Sequence, residues 1–508
     1  MRVQLTNLSG SQQVSTQLGI LAPNQTATYD VDSYDQYRSE LESLVRAGIV
    51  AVSILSSAPS TIEGDIITRP LTMYVSASGS DTNPGSQDKP FRSIQAAINT
   101  LSRKSIQSVV TISVGPGSFK AFSVDGTLIG FATVSNHITP YITAPRLNIV
   151  GSWSTPTLTS GTTSGTATGA VVNLAAEVTD AGQSWTVNEL RGKYILIGSN
   201  YWPIISNTAT VITIPTSNAQ SGAYSIWDIG TNIDTETASV GSFGGTQTGR
   251  IAIQNISLAA STTFAISAMN LNLDGMASGT TAVSIRNASV LLENVSMVRS
   301  SSSVTINAIS ATQARLLNLV RSYVSFPSTL GNGVTSGLKH DSISVNNCYF
   351  RNGALGISTA PGSSVTTLLG TTFDTVASGV TSASGGIIAL LAGNRFLSCT
   401  TAITVGSTTT SSSAQLTCSA NTYFGSCGTI LSASSGSQCA LANTSGSSNT
   451  NGIVLTKGAR CQIGNTATLG ATTELSVDGT TGTLAALRAA SPRVFPATAN
   501  PYSTYVFE

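Results

Sequence analysis

Between residues 250 and 470 the chain carries four acids, Asp274, Glu293, Asp341 and Asp374. Carboxylates come first because a long, hydroxyl-rich chain invites the question of glycan chemistry. Glycoside hydrolysis needs two of them flanking the scissile bond, about 5 to 9.5 Å apart. Asp274 precedes Gly275 in a turn-like "LDGM", and no two acids line up as a catalytic pair within one chain. The densest charged cluster is "LKHDS", Lys339, His340 and Asp341, and His340 is one of two histidines, the other being His137. A general base or a metal site could be built there, but such groups are identified by geometry, and the plainer reading is a solvated loop before a strand. Glu293, His340 and Asp341 are the catalytic candidates. Asp228, Asp234 and Glu236 in "DIGTNIDTE" match no cation-binding spacing, and the six cysteines (Cys348, Cys399, Cys418, Cys427, Cys439, Cys461) show no CxxC pair. Neither a metal nor a cofactor is expected.

A repeat supplies the elements that must position these residues. "ENVSM", "RSYV", "NNCYF", "GTTF", "GNRF" and "ANTYF" align on Met297, Val324, Phe350, Phe373, Phe396 and Phe424, at intervals of 27, 26, 23, 23 and 28 residues. Three positions before the aligned residue stands Asn294, Asn347, Gly370, Gly393 or Asn421, types that tolerate the left-handed backbone of a tight corner. One turn per repeat, with short parallel strands stacking turn on turn, fits this pattern. The large apolar residue then points inward. The period excludes tetratricopeptide, ankyrin and HEAT arrays, and the leucine-rich signature is missing. The fold class is all-β, a right-handed parallel β-helix. In that register Asp374 and Arg351 fall at equivalent places on adjacent turns, so an ion pair is expected. Cys399 and Cys427 also stack, as buried thiols.

Outside the repeat the chain divides further. Residues 1–57 read as a small α+β module, in which Ser33 and Gln36 form a capping box, Tyr37, Leu41, Leu44 and Val45 make the apolar helix face and Gly48 stops the helix. Residues 58–151 hold a linker, a helix and the first turns of the coil. The helix places Ile94, Ala97, Ile98 and Leu101 on one face with Ser93 as its cap, and its purpose is to cover the open first turn, whose strand edges would otherwise invite pairing. Residues 152–235 read as a small β insertion around Trp185, Trp202 and Trp227, 236–465 as the main coil, and 466–508 as a C-terminal cap or oligomer contact.

Composition narrows the function classes. Charged residues are 9% of the 508, against roughly 25% in globular proteins, while 41% are hydrophobic, so the polarity lies in Ser, Thr, Asn and Gln rather than in charge. With 24 basic and 23 acidic residues there is no electrostatic footprint for nucleic acid. The N-terminal "MRVQLTNLSG" has no apolar core of signal-peptide length, and no apolar run approaches the roughly 18 residues of a membrane span. Neither an export signal nor membrane insertion is expected.

The segment "GSDTNPGSQDKPFRSIQAAI" resembles the entry segment of pectin-lyase-like β-helix proteins. "SWTVNELRGKYILIGSNYWPIISNTATVITI" resembles the small β insertion such helices carry in bacteriophage virion proteins, and "LGILAPNQTATYDV…LVRAGIVAVSI" resembles an N-terminal module of phage tail and head-fibre proteins. Together these resemble a phage tailspike or capsid spike. The resemblance implies a homotrimer in a virion, held to other virion proteins through residues 1–57 and contacting host-surface polysaccharide. The scarcity of acids favours a structural spike or fibre. The alternative is a tailspike depolymerase, a glycosidase or lyase with a site built across subunits.

Overall fold

The computed structural model describes residues 2–16, 19–30, 38–56, 66–67, 69–102, 104–106, 108–126, 129–131, 147–233, 250–256, 264–301, 304–312, 314, 316–336, 342–359, 365–382, 385–406, 414–418, 420–463, 469–477, 484–487 and 504–507. Ser33, Gln36, Tyr37, His137, Asp234, Glu236, Lys339, His340 and Asp341 lie outside them.

The chain is a parallel β-solenoid with a small separate sheet at the N-terminus and an antiparallel sheet inserted near the start of the coil. A typical turn has three strands. Ser342–Asn346 runs to a corner at Asn347, Tyr349–Arg351 runs to a second corner at Asn352, and Leu355–Thr359 completes the turn. Each pairs in parallel with its counterpart above: Val365–Leu369, Thr372–Asp374 and Ser378–Ser382. Among the described residues, eleven strands stack in this way on the third face. At the far end Leu484–Leu487 pairs with Arg460–Ile463, and Thr504–Phe507 pairs in turn with Leu484–Leu487.

Sequence periodicity places the rungs correctly. Met297, Val324, Phe350, Phe373, Phe396 and Phe424 are register partners in order. The four phenylalanine rings stack inside the coil with centroids 5.1, 4.9 and 5.3 Å apart and planes within 13°. Room for flat rings comes from the third face, where a Cβ on Gly356 would stand 2.6 Å from the Phe373 ring, and one on Gly379 would stand 2.8 Å from Phe396. Positive φ occurs at Asn294, Asn347, Gly370 and Gly393, as the repeat predicts, though not at Asn421. A second left-handed corner follows each phenylalanine rung by two residues, at Asn352, Thr375, Ser398 and Ser426, and recurs at Ser448, two residues after Gly446, the register partner of Phe424. Threonine and serine are poor signals for such backbone, which explains why periodicity alone does not reveal it.

The short helix α2, numbered after α1 of the N-terminal module (Arg38–Arg46), spans Ile94–Thr100. Ser93 Oγ accepts from Ala96 N–H at 3.1 Å, and Ile94, Ala97, Ile98 and Leu101 are buried in the solenoid core. The helix packs against Leu71–Val75, Val110–Val114 and Phe122–Asp125, strands of the first turns, so it closes the coil's near end. The turn-rich loop ahead of it is tied in by Asp81, whose carboxylate accepts from the backbone of Arg92 and Ser93 at 3.0 and 2.8 Å. In α1, Leu41 is fully buried and Gly48 takes the left-handed conformation past the end of the helix. Val45 departs from the expected apolar face: it is 43% exposed, because the sheet of Arg2–Asn7, Thr26–Asp30 and Val50–Ser56 packs on the Leu41 side only.

The inserted sheet has eight antiparallel strands, Trp153–Ser154 to Gly222–Ile229, around Trp185, Trp202, Ile195 and Ile212. One carboxylate pins its outer loop. Glu189 accepts from the Thr159 N–H and hydroxyl, the Ser160 hydroxyl at 2.7 Å and Thr186 N–H at 3.2 Å. Hydroxyl and backbone donors, Thr159 foremost, hold its pKa down from 4.5 to about 2. The folded value is depressed, so this contribution is complete above pH 4.5 and is lost as pH falls from 4.5 towards 2. Protection of the Thr159 and Thr186 amides, each exchange rate taken relative to its intrinsic value at that pH, should therefore fall in that window, while Glu189→Gln should flatten the dependence. A protection factor that does not change with pH in the native protein would remove the assignment.

Candidate functional site

One outward-facing line of side chains runs up the solenoid immediately before the buried rungs. Register pairing stacks Asn232, Asn270, Ser296, Tyr323, Tyr349, Thr372, Arg395, Tyr423 and Ser445 in a single row. The step between neighbours is about 4.8 Å, the parallel-strand spacing. This row is fixed by the same repeat that sets the core, since a residue next to an inward rung must face outward. It could have been read from the aligned motifs as the position preceding each rung.

The inserted sheet lies against the middle of the row. Ile205 packs on Tyr323 and Tyr349, whose rings are 5.4 Å apart, and Gly192 comes close to the Tyr323 ring. Further along, the Pro215 carbonyl approaches Gly370 and the Ser217 side chain approaches Gly393. At the lower edge, Arg321 sits 5.7 Å from the centre of the Trp202 ring and is paired with Glu293. That pair spans two turns of the solenoid under the inserted sheet. Glu293, a catalytic candidate from the sequence, thus has a cationic partner in the structure.

Where the sheet lifts from the row, a cavity of about 560 Å³ opens, lined by Asn232, Asn270, Ser296 and Tyr323 on the solenoid side and by Arg191, Lys193, Tyr194 and Asp228 on the sheet side. Lys193 Nζ donates to both Asp228 oxygens, at 3.1 and 3.3 Å. Arg191 donates from Nε to the Ile205 carbonyl and from Nη2 to Asn188 Oδ1, both at 2.9 Å. Asn270 Nδ2 donates to Asn232 Oδ1 at 2.7 Å, but Asn270 Oδ1 is buried without a partner. The Tyr194 hydroxyl is likewise buried and unpartnered, and burial pushes its pKa well above 10. Trp153 stacks on Tyr201 at 3.9 Å and meets Tyr194 edge-on at 5.2 Å, stiffening this wall. Aromatic rings, amides and hydroxyls around an open slot are groups that suit a polyhydroxylated ligand.

Asp374 departs from its expected partner. It is in register with Arg351, but no ion pair joins them among the described residues; its carboxylate accepts from the Tyr349 hydroxyl at 2.7 Å and from the Thr375 hydroxyl at 2.9 Å. Tyr349 stands directly opposite Thr372, so it reaches Asp374 along the diagonal, a distance that a long aromatic side chain spans. The cysteines are all free and buried, and Cys399 and Cys427 contact each other as stacked thiols. Of the acids in "DIGTNIDTE", Asp228 belongs to the cavity wall. Among the described residues no group of three or more His, Cys, Asp and Glu side chains could hold a metal.

No family model matches the chain, and no curated protein matches it. Solved structures similar to it include phage tailspikes. One is the tailspike gp49 of Acinetobacter baumannii bacteriophage Fri1, a capsular polysaccharide depolymerase, at 9% identity over 90% of this chain and 64% of that one, with a TM-score of 0.31. Another is the gp54 tailspike of A. baumannii bacteriophage AP22 in complex with capsular saccharide, at 9% identity over 78% and 74%, with a TM-score of 0.21. A glycoside hydrolase is similar at 10% identity over 76% of this chain and 96% of that one, with a TM-score of 0.31.

Proposed function

We propose that the chain is a polysaccharide-binding spike of a phage virion, and that it holds the glycan in the cleft between the inserted sheet and the solenoid. The observation that carries this is the cavity itself, lined by Asn232, Asn270, Ser296 and Tyr323 on one wall and by Arg191, Lys193 and Asp228 on the other. Sugar hydroxyls both donate and accept, so they suit such a mixed lining. The segments quoted above that resemble tailspikes supply the virion setting, with residues 1–57 as the attachment module and a homotrimer as the assembly.

The reading is tested by incubating the protein with a panel of bacterial surface polysaccharides and measuring sedimentation of bound polymer, new reducing ends and ultraviolet absorbance of unsaturated sugars. Binding without new ends supports the spike, new ends would replace it with a depolymerase, and failure to bind any polymer removes it.

A further inference from the structure

Three charged side chains line the cavity: Arg191, Lys193 and Asp228. The acid is already spent, since Lys193 Nζ donates to both Asp228 oxygens at 3.1 and 3.3 Å. Arg191 has no such partner. Its Nε donates to the Ile205 carbonyl and its Nη2 to Asn188 Oδ1, and among the described residues no carboxylate pairs with it. Both acceptors are neutral, so the guanidinium keeps its full charge. Two of its five N–H donors are used; Nη1 keeps both of its own and Nη2 keeps one. Arg191 is half-buried, and Nη1 is open to solvent rather than sealed in the wall.

The two neutral bonds also hold the group in place. Asn188 takes left-handed backbone, φ 63°, in the turn ahead of Tyr194–Ile197, and Ile205 packs on Tyr323 and Tyr349 of the solenoid row. The guanidinium is therefore tied both to its own turn and to the segment that docks the sheet on the coil. A ligand meets it already positioned, with little ordering left to do on binding.

A guanidinium presents a planar fork of donors that matches a carboxylate, where an ammonium is only a point charge. We propose that Arg191 makes the cavity a site for acidic glycan, pairing with the carboxylate of a uronic acid-type sugar. This rests on the cleft being a glycan site, and it names the class of polymer. A neutral sugar would cover the guanidinium and leave its charge unanswered, whereas an acidic one balances it. No bond is made or broken; the sugar carboxylate accepts the donors that the fold leaves open.

The test takes bacterial surface polysaccharides with and without uronic acid, and each acidic polymer also in carboxyl-reduced form, and titrates them calorimetrically into wild-type protein, Arg191→Gln and Asp228→Asn. Thermal melts report the fold of each variant. Wild type should bind the acidic form about tenfold or more tighter than the reduced form, as a bidentate charge-assisted pair requires. Arg191→Gln should bring that ratio close to one. Asp228→Asn removes the cavity's acid and releases Lys193, so it should raise the ratio, and it carries the test if Arg191→Gln does not fold. Equal affinity for acidic and reduced polymer in wild type, a preference that survives in folded Arg191→Gln, or a ratio unmoved in Asp228→Asn would overturn the proposal and leave the cleft as a neutral glycan site. Binding of no polymer, acidic or neutral, would overturn this proposal and the glycan site together.

Discussion

Phe373→Ala should destabilise the solenoid by about 3–5 kcal/mol, the usual cost of emptying a buried aromatic site. Phe373 is fully buried and stacked at 5.1 and 4.9 Å between Phe350 and Phe396, so truncation breaks two ring contacts as well as leaving a cavity. Each such contact contributes about 0.5–1.5 kcal/mol beyond burial. The neighbouring cores cannot collapse into the space, since hydrogen-bonded strands on all three faces hold the turn at a fixed rise. Gly356→Ala perturbs the same place from the other side. Its new methyl would lie 2.6 Å from the Phe373 ring and closer still to the Gly379 carbonyl, an overpacking that costs about 1–3 kcal/mol. The double variant should be less damaged than the two losses added together, because removing the ring relieves one of the two clashes. Urea unfolding followed by circular dichroism measures all three. Strict additivity, or a Phe373→Ala loss under about 1 kcal/mol, would mean that the rings do not stack as described.

Tyr323→Ala should weaken polysaccharide binding at least tenfold, about 1.4 kcal/mol. Tyr323 is 4% exposed, lines the cavity, and carries the contact between the solenoid row and Ile205 of the inserted sheet. Truncation therefore removes an aromatic wall and loosens the sheet that forms the opposite wall. Tyr323→Phe keeps the packing and loses only the hydroxyl, so it should retain most of the affinity. Isothermal titration with a polysaccharide that wild type binds, alongside thermal melts of both variants, separates lost contact from lost fold. Unchanged affinity in a folded Tyr323→Ala protein would move the binding surface elsewhere.

The coil itself was legible because its signal is redundant. An apolar rung at 23 to 28 residues, a small or amide residue three positions earlier, and alternating flanks all specify the same turn. The plug helix was legible for a similar reason: Ser93 as a cap and four apolar residues at i, i+3, i+4 and i+7 agree with each other. The site was not, and the reason is physical. Arg191, Tyr194 and Lys193 meet Asn270, Ser296 and Tyr323 only because the inserted sheet docks on particular turns, through contacts such as Ile205 on Tyr349 and Trp202 under Arg321. No local pattern encodes that docking. Nor do the acids mark it, since Asp228 is one acid in a lining that is otherwise amide, hydroxyl, aromatic, cationic or apolar. Asp374 shows the limit of register reasoning, because strand pairing placed Arg351 opposite it while the longer Tyr349 took the carboxylate along the diagonal.

The central claim is that glycan lies in the cleft between the inserted sheet and the solenoid row. A crystal structure with an oligosaccharide cut from a polymer that the protein binds tests it most directly. Sugar density in the cavity, between the Asn270 and Tyr323 wall and the Lys193 and Asp228 wall, is the predicted result. Density on another face of the solenoid, with the cavity holding only water, would contradict it.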